Sequence, residues 1–146
     1  MERSLTGGVV RIRRGEYADA LPELKHVFLV GDLRRPTPHP FIRDERVELI
    51  VVGYEAGDDG SYHWHPEVTE YEIVVDGEIG YFEVATGETH WFSAGDLVAI
   101  PAGACVKRRV RRPARGVTLK VPSSAGKVEC RSCARECAWR VEAFAG

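Results

Sequence analysis

The sequence predicts an all-β domain, and three observations carry that prediction. Its 146 residues are the length of one domain with a real core and too short for two. From Val47 onward, short runs rich in Val, Ile, Tyr and Phe recur between Gly and Asp turns, at the spacing of antiparallel proteins. Asp76-Gly77, between two such runs, is a hairpin signal, and Thr86-Gly87 is a second. Hairpins in series imply a meander or a jelly roll.

Taken in order, the first third is irregular. It has an Arg- and Gly-rich start over residues 1–17, a short helix expected around 17–24, an apolar stretch at 26–30 and a turn-rich segment at 34–40 with Pro36, Pro38 and Pro40. It reads as an arm or a lid. The strands expected after it cover residues 47–54, 62–65, 70–75, 79–84, 90–92, 97–100, 105–110 and 116–121. There is no internal repeat, and beyond residue 122 the β pattern stops.

The 20 basic and 22 acidic residues nearly cancel, so no strong field of one sign draws in nucleic acid or an anionic membrane. A small-molecule partner is expected instead. The opening stretch has no apolar signal-like region, and nowhere do about 18 apolar residues run together. The expectation is a cytoplasmic protein. Three of the four cysteines crowd into residues 130–137, which suits a reduced compartment.

On a strand, residues two apart share a face, so His63 and His65 present two imidazoles to one side while Trp64 faces the other. The segment 66–69 is long enough to turn the chain, after which Glu70 returns on an adjacent strand and offers a carboxylate to the same point. Two neutral imidazoles and a carboxylate form a facial triad, with open positions for water, oxygen or substrate on a non-haem iron, or for water on zinc.

These residues resemble a known family. The pattern Gly57-x5-His63-x-His65-x4-Glu70-x6-Gly77 is similar to the first motif of the cupins at every defined position. Gly95-x5-Pro101-Ala102-Gly103 resembles part of their second motif, with Asp96 in its usual place. Val106 stands where the family usually supplies a third histidine, and Val110 where it often has asparagine. The resemblance covers roughly residues 47–121 and implies a double-sheet barrel, a double-stranded β-helix or jelly roll, with the site inside. The chain then divides into an N-terminal arm (1–46), the barrel (47–122) and a Cys-rich tail (123–146). One divalent metal ion is expected in the barrel, Fe2+ favoured and Zn2+ or Mn2+ also suitable.

Strand alternation offers substitutes for the missing ligand. If Phe92 faces the core, His90 faces it too, although an exposed or merely hydrogen-bonded histidine explains His90 as well. Cys105 sits beside Val106. Glu72 shares a face with Glu70, and a carboxylate inside a barrel must be paired, metal-bound or protonated, which makes it a candidate acid/base group. A bulge would instead turn it to solvent. Tyr62 is a second candidate for moving a proton. The basic run Lys107, Arg108, Arg109, Arg111 and Arg112 reads as a solvated strand edge.

Cys130, Cys133 and Cys137 fall at i, i+3 and i+7, so a short amphipathic helix docked on the barrel explains them without metal. They also resemble one knuckle of a zinc ribbon, with a second Zn2+ and a fourth ligand from Cys105, a histidine or a partner chain. The leading functional expectation is a metal-dependent enzyme on a small molecule, most simply a non-haem iron dioxygenase. A Zn- or Mn-dependent isomerase, epimerase or lyase uses the same ligands, and a non-catalytic binding or sensor module is the reading from another class. A homodimer is expected.

Overall fold

The computed structural model describes residues 2–124 and 126–130. Its strands are β1 (Glu2–Arg3), β2 (His26–Gly31), β3 (Phe41–Arg43), β4 (Glu48–Tyr54), β5 (His63–Trp64), β6 (Thr69–Glu83), β7 (Glu88–Ser93), β8 (Leu97–Ile100), β9 (Val106–Val121) and β10 (Val128–Glu129). Among the described residues one short helix, α1 (Leu21–Leu24), follows two 3-10 turns. The strands form one hydrogen-bonded sheet in the order β1-β3-β2-β4-β9-β5-β10, with β6 on β9 and both β7 and β8 on β6.

Two pairs of expected strands are continuous. The expected strands 70–75 and 79–84 both fall in β6, which ends at Glu83, and 105–110 and 116–121 both fall in β9, which begins at Val106. Asp76-Gly77 is therefore a bend inside one strand and not a hairpin. Gly77 adopts φ +80, and a Cβ there would lie 2.0 Å from the Pro113 carbonyl oxygen, so only glycine lets the two strands bend together. The β6–β9 register shifts on either side of Asp76, as a bulge requires. Thr86-Gly87 does make a hairpin, joining β6 to β7 with Glu83 opposite Glu88.

The bend divides β6 and β9 between two layers. The first half of β6 pairs with β8 and the second with β7, while β9 pairs with β4 at its C-terminal end and with β5 at Val106. Ile50, Val52, Val74 and Ile100 from one layer meet Ile79, Val106 and Val110 from the other. Each such buried side chain contributes about 1.5–3 kcal/mol of transfer free energy. The expected all-β double-sheet jelly roll is the fold of this chain.

The stretch at 26–30, expected within an arm, is a strand. β2 pairs antiparallel with β4, His26 opposite Val52 and Phe28 opposite Ile50, and so extends the sheet of its own chain. No helix among the described residues is long and apolar enough to cross a membrane.

One feature of the first layer sets up the site. Glu48, Glu70, Glu72 and Thr118 are buried on its inner face, and Lys120 stands opposite both Glu48 and Glu70 in the register. Alternation then places apolar residues outside: Tyr71, Ile73, Val75 and Leu97 are 39%, 43%, 54% and 61% exposed.

Candidate metal centre

β5 carries His63, and the chain turns through His65 into β6, whose second residue is Glu70. The Gly103 N–H donates to the His65 carbonyl at 2.8 Å and ties this turn to the loop before β9. One ligand atom from each of His63, His65 and Glu70 lies within 4.8 Å of the other two. The imidazole planes stand at 85° with centroids 5.5 Å apart.

His65 is 4% exposed, and its Nε2 lies 2.8 Å from Glu70 Oε1. The contact lacks hydrogen-bond alignment, and neither ring nitrogen of His65 has a hydrogen-bond partner. Leaving a buried polar group unsatisfied costs roughly 1–3 kcal/mol. A divalent ion held by His63, His65 and Glu70 would take up one of these nitrogens, so these residues fit a metal.

The other two ligands are prepared in the same sense. His63 Nδ1 lies 2.9 Å from the Ser61 carbonyl oxygen, which can only accept, so Nδ1 carries the proton and Nε2 keeps its lone pair. Burial lowers the His63 pKa and favours the neutral, ligating form. Burial alone would raise Glu70, but the His65 contact and, next, the Lys120 charge act against it and the carboxyl is held at about 2. Lys120 Nζ stands 3.5 Å from Glu70 Oε1 and 3.7 Å from Glu48 Oε1.

Behind the triad lies a cavity of about 180 Å³ whose walls include His26, Tyr54, His63, Glu70, Glu72 and Arg108. Glu72 faces inward and is 2% exposed. The Tyr81 hydroxyl donates to its Oε1 at 2.8 Å and the Thr118 hydroxyl to its Oε2 at 2.5 Å. Burial pushes Glu72 up despite these two donors. On the far wall, Tyr54 Oη and His26 Nε2 are 2.9 Å apart, and Arg108 Nη1 donates to Tyr54 Oη at 3.3 Å.

Burial, then the charges of Arg108, Lys120 and Lys127, lower His26 to about 4 from 6.5. A histidine with a depressed folded pKa stabilises the fold fully above 6.5 and loses that contribution as pH falls towards 4. At about 1.4 kcal/mol per unit this is on the order of 3 kcal/mol at most. Urea melts at pH 7 and pH 4.5 are expected to show a smaller acid-side loss in His26→Gln than in the wild type. Equal losses would assign the acid sensitivity elsewhere.

The structure thus brings His63, His65, Glu70 and Glu72 together. It does not bring Tyr62 or His90 to them. Tyr62 lies on the opposite face from His63, as alternation requires, edge-on to Phe82 at 6.1 Å and beneath Lys107. His90 does share a face with Phe92, but the two line a different cavity, between β7 and β8, where His90 Nε2 meets Glu83 Oε2 at 2.8 Å. Val106, opposite His63, is buried apolar core, and among the described residues no further His, Cys, Asp or Glu joins the triad. Cys105 and Cys130 pack in a separate buried cluster with Tyr62, Trp64 and Val84, while Cys133 and Cys137 lie outside the described residues.

Sequence reasoning missed His26, Tyr54, Tyr81, Arg108, Thr118 and Lys120. For Thr118 and Lys120 a signal existed: once Glu70 and Glu72 are taken as inward, their polar partners on the neighbouring strand follow. The apolar Val117 and Leu119 argue for the opposite facing, and only the register with β6 decides.

The cupin domain family matches residues 50–119, from β4 through the triad to β9. No curated protein matches the chain. Among solved structures, a conserved double-stranded β-helix protein of Klebsiella pneumoniae is 21% identical, with TM-score 0.55 over 61% of this chain and 74% of that one. The DMSP lyase DddQ from Ruegeria pomeroyi is 22% identical, with TM-score 0.57 over 71% of this chain and 50% of that one, so the alignment spans half of DddQ. The nucleoside dehydratase Pac13, from Streptomyces, is 17% identical, with TM-score 0.53 over 60% of this chain and 71% of that one. At these identities the likeness is one of fold.

Proposed function

Since this chain belongs to the cupin superfamily, we propose that it is a metal-dependent enzyme acting on a small organic molecule held behind His63, His65 and Glu70. The observation that carries the reading is the buried His65 ring, both nitrogens without hydrogen bonds and one of them against a carboxylate held ionised. A divalent ion there would polarise a substrate oxygen or lower the pKa of a bound water.

The chain's own groups supply the rest. The cavity keeps the substrate small, since drug-sized ligands occupy roughly 300–1,000 Å³. Tyr81 and Thr118 fix both oxygens of Glu72, so its carboxyl cannot rotate away from the cavity it lines. Glu72 then takes a proton from the substrate, or returns one, at its carboxylate oxygen. A fixed buried acid/base lining the same cavity as Glu70 favours proton-transfer chemistry, that of an isomerase, epimerase or lyase. The two-histidine, one-carboxylate ligand set is what favours the second reading, a non-haem iron dioxygenase. Elemental analysis of untagged protein is expected to find one metal per chain. Oxygen uptake on turnover separates the two chemistries, and no metal at all would move the protein to the binding modules.

The working unit of this reading is a homodimer. Tyr71, Ile73, Val75 and Leu97 give the first layer an apolar outer face that water does not favour. Light scattering is expected to give twice the chain mass for the wild type and one chain mass for Ile73→Lys. A monomeric wild type would refute the dimer.

A further inference from the structure

Arg108 lines the same cavity, and among the described residues it is the cation there that makes no ion pair. Lys120 faces Glu48 and Glu70, and Lys127 Nζ lies 3.1 Å from Glu129 Oε1. No acidic oxygen of the described residues comes within 4.0 Å of the Arg108 guanidinium. The group is nonetheless held in place. Its Cζ stacks 4.1 Å from the centre of the Tyr54 ring. Its Nε donates to the Asp58 carbonyl at 3.1 Å and its Nη1 to Tyr54 Oη. Gly60 closes on it as well: a Cβ at Gly60 would meet the Arg108 side chain at 3.4 Å.

A guanidinium has five N–H donors, and these two bonds leave Nη2 and one Nη1 hydrogen unengaged. A half-buried, oriented charge with an open fork and no ion pair among the described residues is built for an anion from outside, and the fork matches a carboxylate in two parallel hydrogen bonds. Resting on the reading that this cavity is the active site, we infer that Arg108 anchors a substrate carboxylate and that the substrates are small organic acids.

The test is calorimetric titration of the whole chain with malonate, propanoate, the uncharged malonamide and inorganic phosphate at fixed ionic strength. Wild type, Arg108→Gln and Arg108→Lys are compared, with metal content measured on each sample. A carboxylate is expected to bind the wild type saturably and malonamide not at all. Arg108→Gln is expected to weaken the carboxylate by at least about tenfold, with Arg108→Lys between. Should the glutamine variant fail to give a cooperative melt, the acid-against-amide comparison on the wild type decides. Malonamide binding as well as malonate, an unchanged Arg108→Gln, no binding of either acid, or a preference for phosphate would each overturn the inference. Metal-free protein that still binds an acid through Arg108 keeps this inference and sinks the metal reading. Metal-loaded protein indifferent to both acids does the reverse.

Discussion

Replacing His65 by alanine is expected to empty the barrel of metal. The imidazole contributes a buried ligand atom 2.8 Å from Glu70 Oε1, and no other described residue can replace it, because Val106 offers no donor. Removing even an outer partner of a metal ligand costs about 10–100-fold in affinity, so losing a ligand outright should cost more than that. A ligand present at 100 times its Kd stabilises a fold by about 2.7 kcal/mol. Chelation should therefore lower the wild-type Tm and leave that of His65→Ala unmoved. Elemental analysis of both proteins checks this directly. Iron or manganese retained by the variant would refute the barrel site, whereas zinc that survives the substitution would belong to Cys130, Cys133 and Cys137.

Glu72→Gln is expected to leave metal content intact and to lower kcat by about 10²–10⁴ on a substrate found among small organic acids, the range of a lost general acid or base. The amide matches the carboxyl in shape, and the hydroxyls of Tyr81 and Thr118 can each turn to donate or accept, so the interior survives the change. The chelated protein gives a reading that needs no substrate. A carboxyl whose folded pKa is raised contributes its stability below the unfolded value of about 4.5, and the fold loses it as pH climbs from there. Glu72→Gln should thus gain on the wild type between pH 4 and pH 8 in urea melts. A gain in the opposite direction would show that Glu72 is comfortable as a carboxylate, and undiminished kcat would remove it from the chemistry.

The triad was legible because its signal is local. His63 and His65 share a face by strand alternation alone, and Glu70 returns after a turn of the right length. The turn at Thr86-Gly87 was legible for the same reason. Asp76-Gly77 was not, since a Gly at positive φ serves a hairpin and a strand bend equally well, and the Pro113 carbonyl that excludes a Cβ comes from 36 residues later. His90 failed on a related point. Alternation says which residues share a face but not which of two neighbouring cavities that face lines.

By itself, then, the sequence determined the all-β class and the two histidines and carboxylate that can hold a metal, while its resemblance to the cupins implied the jelly roll and strand alternation left Glu72 inward or, at a bulge, outward. The first two follow from periodicity and turn chemistry between near neighbours in the chain. Only the tertiary structure decided what surrounds the metal ligands. Arg108 meets Tyr54 across 54 residues of sequence and Tyr54 meets His26 across 28, and Thr118 and Lys120 reach Glu72 and Glu70 through the β6–β9 register. Such pairings depend on how two strands slide past each other, and a shift of β9 by one residue would turn Arg108, Thr118 and Lys120 to the opposite face.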